Sequence, residues 1–201
     1  MEGQDQEHKH TESLVYSREE YAKKEFWDDR FAESNGQFDW YANWAEIKPV
    51  FEEHVPKKGI QNGDLEILMV GCGNSKLSEE MAEKDGFSNI TNMDISEVVL
   101  QKMREKTSTK ESCKGFKYEA MDATNMRYDS DTFDVVIDKG TYDALACDPK
   151  DKTMIEKLYK EMLRVTKPGG SVVIITNGTP AKRMSDFEQF SEGTDVMITH
   201  K

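Results

Sequence analysis

LEILMVGCGNSKLSEEMAEKDGFSNITNMDIS, residues 65–96, joins an apolar strand, a glycine turn, a helix and a second strand closed by an acid. Leu65, Ile67, Leu68, Met69 and Val70 form the short apolar run expected of a parallel strand covered on both faces. Gly71 and Gly73 let the backbone turn sharply and approach a ligand without Cβ obstruction. Asn74 or Ser75 can cap the helix that follows, whose free N–H groups face an anionic or polar group. Asp94 stands 21 residues beyond Gly73 at the end of the next apolar strand, where a carboxylate can accept both hydroxyl protons of a ribose. The predicted ligand carries an adenosine.

Further along, FKYEAMDATNM (116–126) predicts a third strand ending at Asp122, and TFDVVIDKGTYDAL (132–145) a fourth ending at Asp138. Both ends fall beside the glycine turn of a doubly wound sheet, the crevice in which open α/β folds bind ligands. A dinucleotide fingerprint would place a third glycine three residues after the second, and Lys76 holds that position, which weakens a pyrophosphate reading. A nicotinamide dinucleotide and purely structural glycines in a flavodoxin-like sheet stay open as alternatives on spacing alone.

An acid after strand two, another after strand three and a polar cluster after strand four resemble the layout of class I, Rossmann-like S-adenosylmethionine (SAM) methyltransferases. VGCGNSKLS (70–78), MDISEVVLQKM (93–103) and above all FDVVIDKGTYDAL (133–145) are similar to the small methyltransferases related to the elongation factor 1A lysine methyltransferases. EFWDDRF (25–31) and FDWYANW (38–44) resemble the tryptophan-bearing cover segment of that family, and the likeness runs from about residue 16 to 178. It implies an α/β fold with a doubly wound, mostly parallel methyltransferase sheet, helices on both faces and an N-terminal helical cover. After Asn177 only 24 residues remain, and TDVMITHK (194–201) reads as one terminal strand where that fold has an antiparallel pair. A shortened C-terminal edge is therefore expected.

The resemblance also distributes roles. Gly71 and Gly73, with Asn74 and Ser75, would meet the methionine end of SAM; Asp94 would hold the ribose; Asp122 and the Ala123 N–H would read the adenine. Trp27, Phe31 and Trp40 would form an aromatic cover, whose faces can hold a sulfonium or ammonium, and Lys139 would stand beside the methyl group. Core packing of the aromatics, a capping role for Asp94 and a solvated strand end at Asp122 are the structural alternatives. Methyl transfer needs alignment and a deprotonated acceptor rather than a covalent nucleophile. DKGT replaces the NPPY-like motif of enzymes acting on flat amide or base nitrogens, so an amine acceptor fits better. Asp138 or Asp143 is the candidate to steer or accept the amine proton, and Tyr142 a candidate for the acceptor channel.

The expected function is protein-lysine N-methylation on an elongation-factor-like substrate. A small-molecule methyltransferase and a SAM-fold scaffold subunit with little activity are the alternatives.

Composition agrees with one enzyme domain of 201 residues. Twenty-seven basic against 39 acidic residues give a net charge of −12, which repels nucleic-acid phosphates and anionic lipid and attracts a basic protein partner. The three cysteines lack CxxC spacing and the four histidines are scattered, so a reduced, cytoplasmic chain without a metal centre is expected. No apolar run approaches a membrane span. Residues 1–15 read as a disordered tail and 16–201 as a single domain, with cover helices over 16–56 and a core over 64–201. A helix is predicted over 18–33 behind a Ser17/Glu20 capping box, and others over 41–54, 75–84, 97–106 and 151–165. KPGG (167–170) is predicted to be the turn before a fifth strand, SVVIIT.

Overall fold

The computed structural model describes residues 18–33, 36–55, 59–147 and 152–191. The predicted tail, Ser17 and the terminal strand over 194–201 lie outside these residues.

Five parallel strands form one sheet: β1 (Ile67–Val70), β2 (Ile90–Asp94), β3 (Lys117–Ala120), β4 (Phe133–Lys139) and β5 (Thr166–Ile175), in the order β3-β2-β1-β4-β5. All four residues of β1 are buried, as their unbroken apolar run requires of a central strand covered on both faces. Its register, Val70 beside Met93 and Asp138, sets the ends of β1, β2 and β4 side by side.

Alternation along β1 sends Leu68 and Val70 to one face and Ile67 and Met69 to the other. The first pair packs with α6 (Thr153–Val165) and α7 (Pro180–Phe190), through Leu158, Met162 and Phe187. The second packs with α2 (Trp44–His54) and α3 (Leu77–Asp85), through Trp44, Phe51 and Met81. A third, smaller cluster joins Phe31 of α1 (Lys24–Glu33) to Val99, Leu100 and Met103 of α4 (Glu97–Thr107).

Local chemistry moves several predicted boundaries. The first helix is a 3-10 turn over Arg18–Ala22 followed by α1, not one helix from residue 18. The Trp27 indole N–H donates to the Tyr21 carbonyl at 2.8 Å, occupying the acceptor that a continuous α-helix would give to Glu25. The second helix begins at Trp44 rather than 41, because Asn43 and Glu46 form a reciprocal capping box. Gly86, at φ +74°, closes α3 as its position in the sequence suggested.

β3 stops at Ala120, two residues short of Asp122, and a five-residue helix α5 (Thr141–Leu145) follows Gly140 directly. KPGG lies within β5 rather than before it. Thr166 pairs with Phe133 and Ser171 with Val135, so residues 167–170 loop out as an irregularity between two paired stretches. α7, absent from the sequence prediction, opens with Pro180 in its first turn and buries Phe187 and Phe190 against Tyr142 and Tyr159.

Candidate functional site

The ends of β1, β2, β3 and β4 open into a cavity of about 440 Å³, within the range of small-molecule and cofactor sites. Its lining includes Gly71, Gly73, Asn74, Ser75, Asp94, Asp122, Ala123 and Lys139 from the sheet side, and Trp27, Phe31 and Trp40 from the N-terminal segment. Every residue predicted to touch the cofactor therefore borders one space. Of the two predicted acid–base carboxylates, Asp143 borders it, whereas Asp138 and Tyr142 are fully buried and outside its lining.

The glycine turn needs its glycines. Gly71 has φ +58°, and a Cβ there would lie 1.9 Å from the Thr141 hydroxyl oxygen, which donates to the Val70 carbonyl at 3.1 Å. Gly73 has φ +52°, and a Cβ there would meet the Phe31 ring at 3.5 Å. The chain thus crosses from β1 to α3 with backbone, not side chain, toward the cavity.

Asp94 is 5% exposed, and its two oxygens accept the Gly73 N–H at 2.8 Å and the Ser96 N–H at 3.0 Å. A carboxylate offers about four acceptor positions, so these bonds fix its orientation and leave capacity for two hydroxyl donors. Desolvation pushes its pKa up to about 6 against the opposing backbone bonds, with a further upward push from Asp28. Asp122 lies exposed two residues past the end of β3, one oxygen accepting the backbone N–H and the hydroxyl of Thr124, each at 2.8 Å.

The roof is tied to the floor by polar bonds as well as by rings. Trp27 stacks on Phe31 at 5.6 Å between centroids. The Asn74 side chain donates to the Gly36 carbonyl at 2.6 Å, and Gln37 donates to Glu79 at 3.0 Å. Asp39 gathers three donors: the Ser75 hydroxyl, the Lys76 N–H at 3.2 Å and the Lys139 ammonium at 3.0 Å. Burial raises the Asp39 carboxyl, but hydrogen bonds from Ser75 and Lys139 outweigh it and hold the pKa below its ordinary value. Lys139 also donates to the Trp40 carbonyl at 3.1 Å. Its charge is thereby directed into the cover.

The carboxylates on either side of the end of β4 have separate tasks. Asp138 accepts the N–H groups of Thr141 at 2.8 Å and Tyr142 at 2.9 Å, which orients the start of α5. Desolvation pushes its pKa up to about 7. Tyr142 donates its hydroxyl to Asp186 of α7 at 3.0 Å. Asp143 accepts from the Thr176 hydroxyl at 2.7 Å, the Asn177 N–H at 3.1 Å and Arg183 at 2.6 Å, and Arg183 lies over the Tyr142 ring at 4.6 Å.

Asp39 and Tyr41 were not singled out from the sequence, although both lie in the FDWYANW stretch whose tryptophans were. The available signal for Asp39 was an acid set between aromatic residues in a segment already expected to cover a ligand. Among the described residues no group of three or more His, Cys, Asp or Glu is placed to hold a metal ion, and no helix is long and apolar enough to cross a membrane.

Comparison with known proteins bears on this site. A family model described as a methyltransferase domain matches residues 61–198. The eEF1A lysine and N-terminal methyltransferase homolog of Drosophila melanogaster is 37% identical over 166 residues, covering 81% of this chain and 23% of that protein. The EEF1A lysine methyltransferase 4 of Mus musculus is 29% identical over 180 residues, covering 85% of this chain and 67% of that one. The chain spans about a quarter of the length of the first of these relatives. A solved structure of a SAM-dependent methyltransferase from Methanosarcina mazei superposes with a TM-score of 0.54 at 21% identity, over 75% of this chain and 64% of that one. At that identity the likeness is one of fold.

Proposed function

The chain belongs to the methyltransferase-domain family, and we propose that it is a SAM-dependent protein-lysine N-methyltransferase acting on an elongation-factor-like substrate. The observation that carries the cofactor is one cavity bordered by the glycine turn, the buried Asp94, the Asp122–Ala123 segment just past β3 and the Trp27/Phe31/Trp40 cover. These residues fit an adenosine bearing a charged amino-acid arm: backbone N–H groups and Asn74 and Ser75 for the arm, Asp94 for the ribose, Asp122 and Ala123 for the base.

When bound, SAM supplies a methyl group activated on a sulfonium sulfur. The protein's contribution is alignment and exclusion of water. Trp27, Phe31 and Trp40 present aromatic faces to a cation, and Lys139, paired with Asp39, adds a balanced rather than a bare positive charge near the sulfonium. Asp143 is the carboxylate that borders the cavity on the α5 side, so it faces the acceptor. Asp138 acts one step back, holding α5 in place.

Lysine as the acceptor is supported by the elongation factor methyltransferases this chain resembles, and by a net charge of −12 that favours a basic partner. The cytoplasm is the compartment this reading requires, and the domain is one catalytic unit, with residues 16–56 covering the core. Calorimetric titration with SAM, followed by transfer of a radiolabelled methyl group to elongation factor 1A, tests it. Micromolar binding and label retained on lysine after hydrolysis are expected. Absence of SAM binding would overturn the reading, and label confined to low-mass products would move the acceptor to a small molecule.

A further inference from the structure

Tyr41 has a geometry that holding the cofactor does not require. Its φ is +65°, and the Ala42 N–H donates across it to the Trp40 carbonyl at 2.8 Å, so Trp40–Ala42 form a three-residue turn with Tyr41 at the apex. A tight turn through a non-glycine residue in the left-handed region is disfavoured, and persists where its surroundings over-determine it.

Here the surroundings are Gly140 and Asp143. A Cβ at Gly140 would meet the edge of the Tyr41 ring at 3.4 Å and Trp40 Cβ at 4.0 Å, so the Tyr41 ring packs against the backbone where β4 passes into α5. Burial and the neighbouring Asp143 carboxylate push the Tyr41 phenol up to about 12, and Asp143 is itself anchored by Thr176, Asn177 and Arg183. Both Tyr41 and Asp143 border the cavity. Yet Tyr41 is 43% exposed, with Trp40 (37%) and Phe38 (50%) beside it. An aromatic rim open to solvent with a fixed carboxylate behind it suits an apolar arm ending in a cation.

We propose that Tyr41 is an acceptor-positioning residue: its ring, beside Trp40, takes the alkyl arm of a lysine side chain, and its hydroxyl, on the same cavity wall as Asp143, accepts a hydrogen bond from the incoming nitrogen. This rests on the methyltransferase reading and assigns the acceptor side of the same site. The lysine ammonium loses one proton to solvent at the rim. The nitrogen lone pair then forms the N–C bond as the S–C bond breaks, the sulfonium ends as a neutral thioether, and the methylated nitrogen leaves as an ammonium. In this arrangement the phenol proton turns to the Asp143 carboxylate on the cavity wall, which leaves the oxygen lone pairs for an N–H of the approaching amine.

The test uses two S-adenosylhomocysteine analogues in which nitrogen replaces sulfur: one carries a four-carbon chain ending in an amine, the other a butyl chain. Affinities for both, and for S-adenosylhomocysteine, are measured by calorimetry on wild type, Tyr41→Phe and Tyr41→Ala. The amine is expected to improve wild-type affinity about tenfold over butyl, the gain falling to about threefold in Tyr41→Phe and vanishing in Tyr41→Ala. S-adenosylhomocysteine should bind all three proteins within about twofold. Equal affinity of wild type for the two analogues, or an undiminished gain in Tyr41→Ala, overturns the assignment. So does parallel loss of S-adenosylhomocysteine binding in the variants, which would make Tyr41 part of the cofactor cover. Wild type that binds no S-adenosylhomocysteine overturns the cofactor reading itself.

Discussion

The Lys139 ammonium lies 3.0 Å from a carboxylate oxygen of Asp39, a residue 100 positions earlier in the chain. The lysine side chain is 6% exposed and the aspartate side chain 23%. A cation at the end of β4 is thus neutralised by the segment that roofs the cavity, and the roof is held by the strand it covers.

Asp39→Asn should show what that pair is worth. Removing one partner of a fully buried pair costs about 3–5 kcal/mol, and water still reaches Asp39, so a loss of about 1–3 kcal/mol is expected. Urea denaturation would measure it. Because Ser75 and Lys76 also bond Asp39, SAM affinity should fall too; a variant with both unchanged would show the pair to be incidental.

Asp94→Ala should weaken SAM binding by about 1.5–3 kcal/mol, the range for charge-assisted hydrogen bonds. Asp94→Asn keeps the shape but loses the charge and should fall between. Calorimetry on the two variants and wild type would give the order. Since Asp94 also bonds Gly73 and Ser96, thermal melting of the free proteins separates damage to the turn from loss of ligand contacts.

Burial pushes Asp94 up to about 6 and Asp138 up to about 7. Carboxylates in an unfolded chain titrate near 4, so between about pH 4 and 7 the folded protein holds more protons at these positions than the unfolded chain. Their contribution to stability is largest below about pH 4 and declines as pH rises to about 7. Ligand binding runs the other way. Ribose hydroxyls need an acceptor, so SAM affinity should rise by up to about tenfold per pH unit below about 6 and level off above it, with proton release on binding. Titrations in buffers of contrasting ionisation heat would detect that proton; a flat profile would detach Asp94 from the ribose.

Gly71→Ala brings a Cβ to 1.9 Å from the Thr141 hydroxyl oxygen and 3.0 Å from Thr141 Cβ, at a backbone φ of +58°. Overpacking of about 1–3 kcal/mol and a left-handed penalty of about 1 kcal/mol should add, and denaturant unfolding would register the sum. Adding Thr141→Ala removes the oxygen but not its Cβ, so it should restore only part of the loss.

Arg183→Met tests the tie between α7 and the acceptor side. Arg183 and Asp143 are 12% and 14% exposed as side chains, so loss of the guanidinium should cost about 3 kcal/mol. It should also lower methyl transfer more than SAM affinity, because Asp143 loses an anchor while Asp94 and the glycine turn keep theirs. Steady-state kinetics beside calorimetry would separate the two.

What could be read from the sequence was what local pattern dictates. The central strand β1 announces itself because it is apolar on both faces, and Gly71, Gly73 and Asp94 follow from strand ends that a parallel sheet must place together, with Asp122 two residues beyond the end of β3. What could not be read depends on distant partners. Tyr41 owes its conformation to Gly140, and the Asp39 pairing to Lys139 joins segments with no shared periodicity. Asp138 and Asp143 look equivalent in DKGTYD, but β4 ends between them, so one carboxylate is turned inward to α5 and the other faces the cavity. α7 was missed because its apolar residues, Phe187 and Phe190, make sense only once Tyr142 and Tyr159 are in place to receive them.

The bonds from Asn74, Ser75 and Lys76 to Gly36 and Asp39 have a consequence in time rather than in space. They link the loop beneath the nucleoside to the segment above it, so a nucleoside enclosed there can exchange only after those bonds open together. Such a clasp lengthens the residence of spent product as much as that of fresh donor. Turnover in this protein is therefore expected to keep the tempo of residues 36–41 letting go.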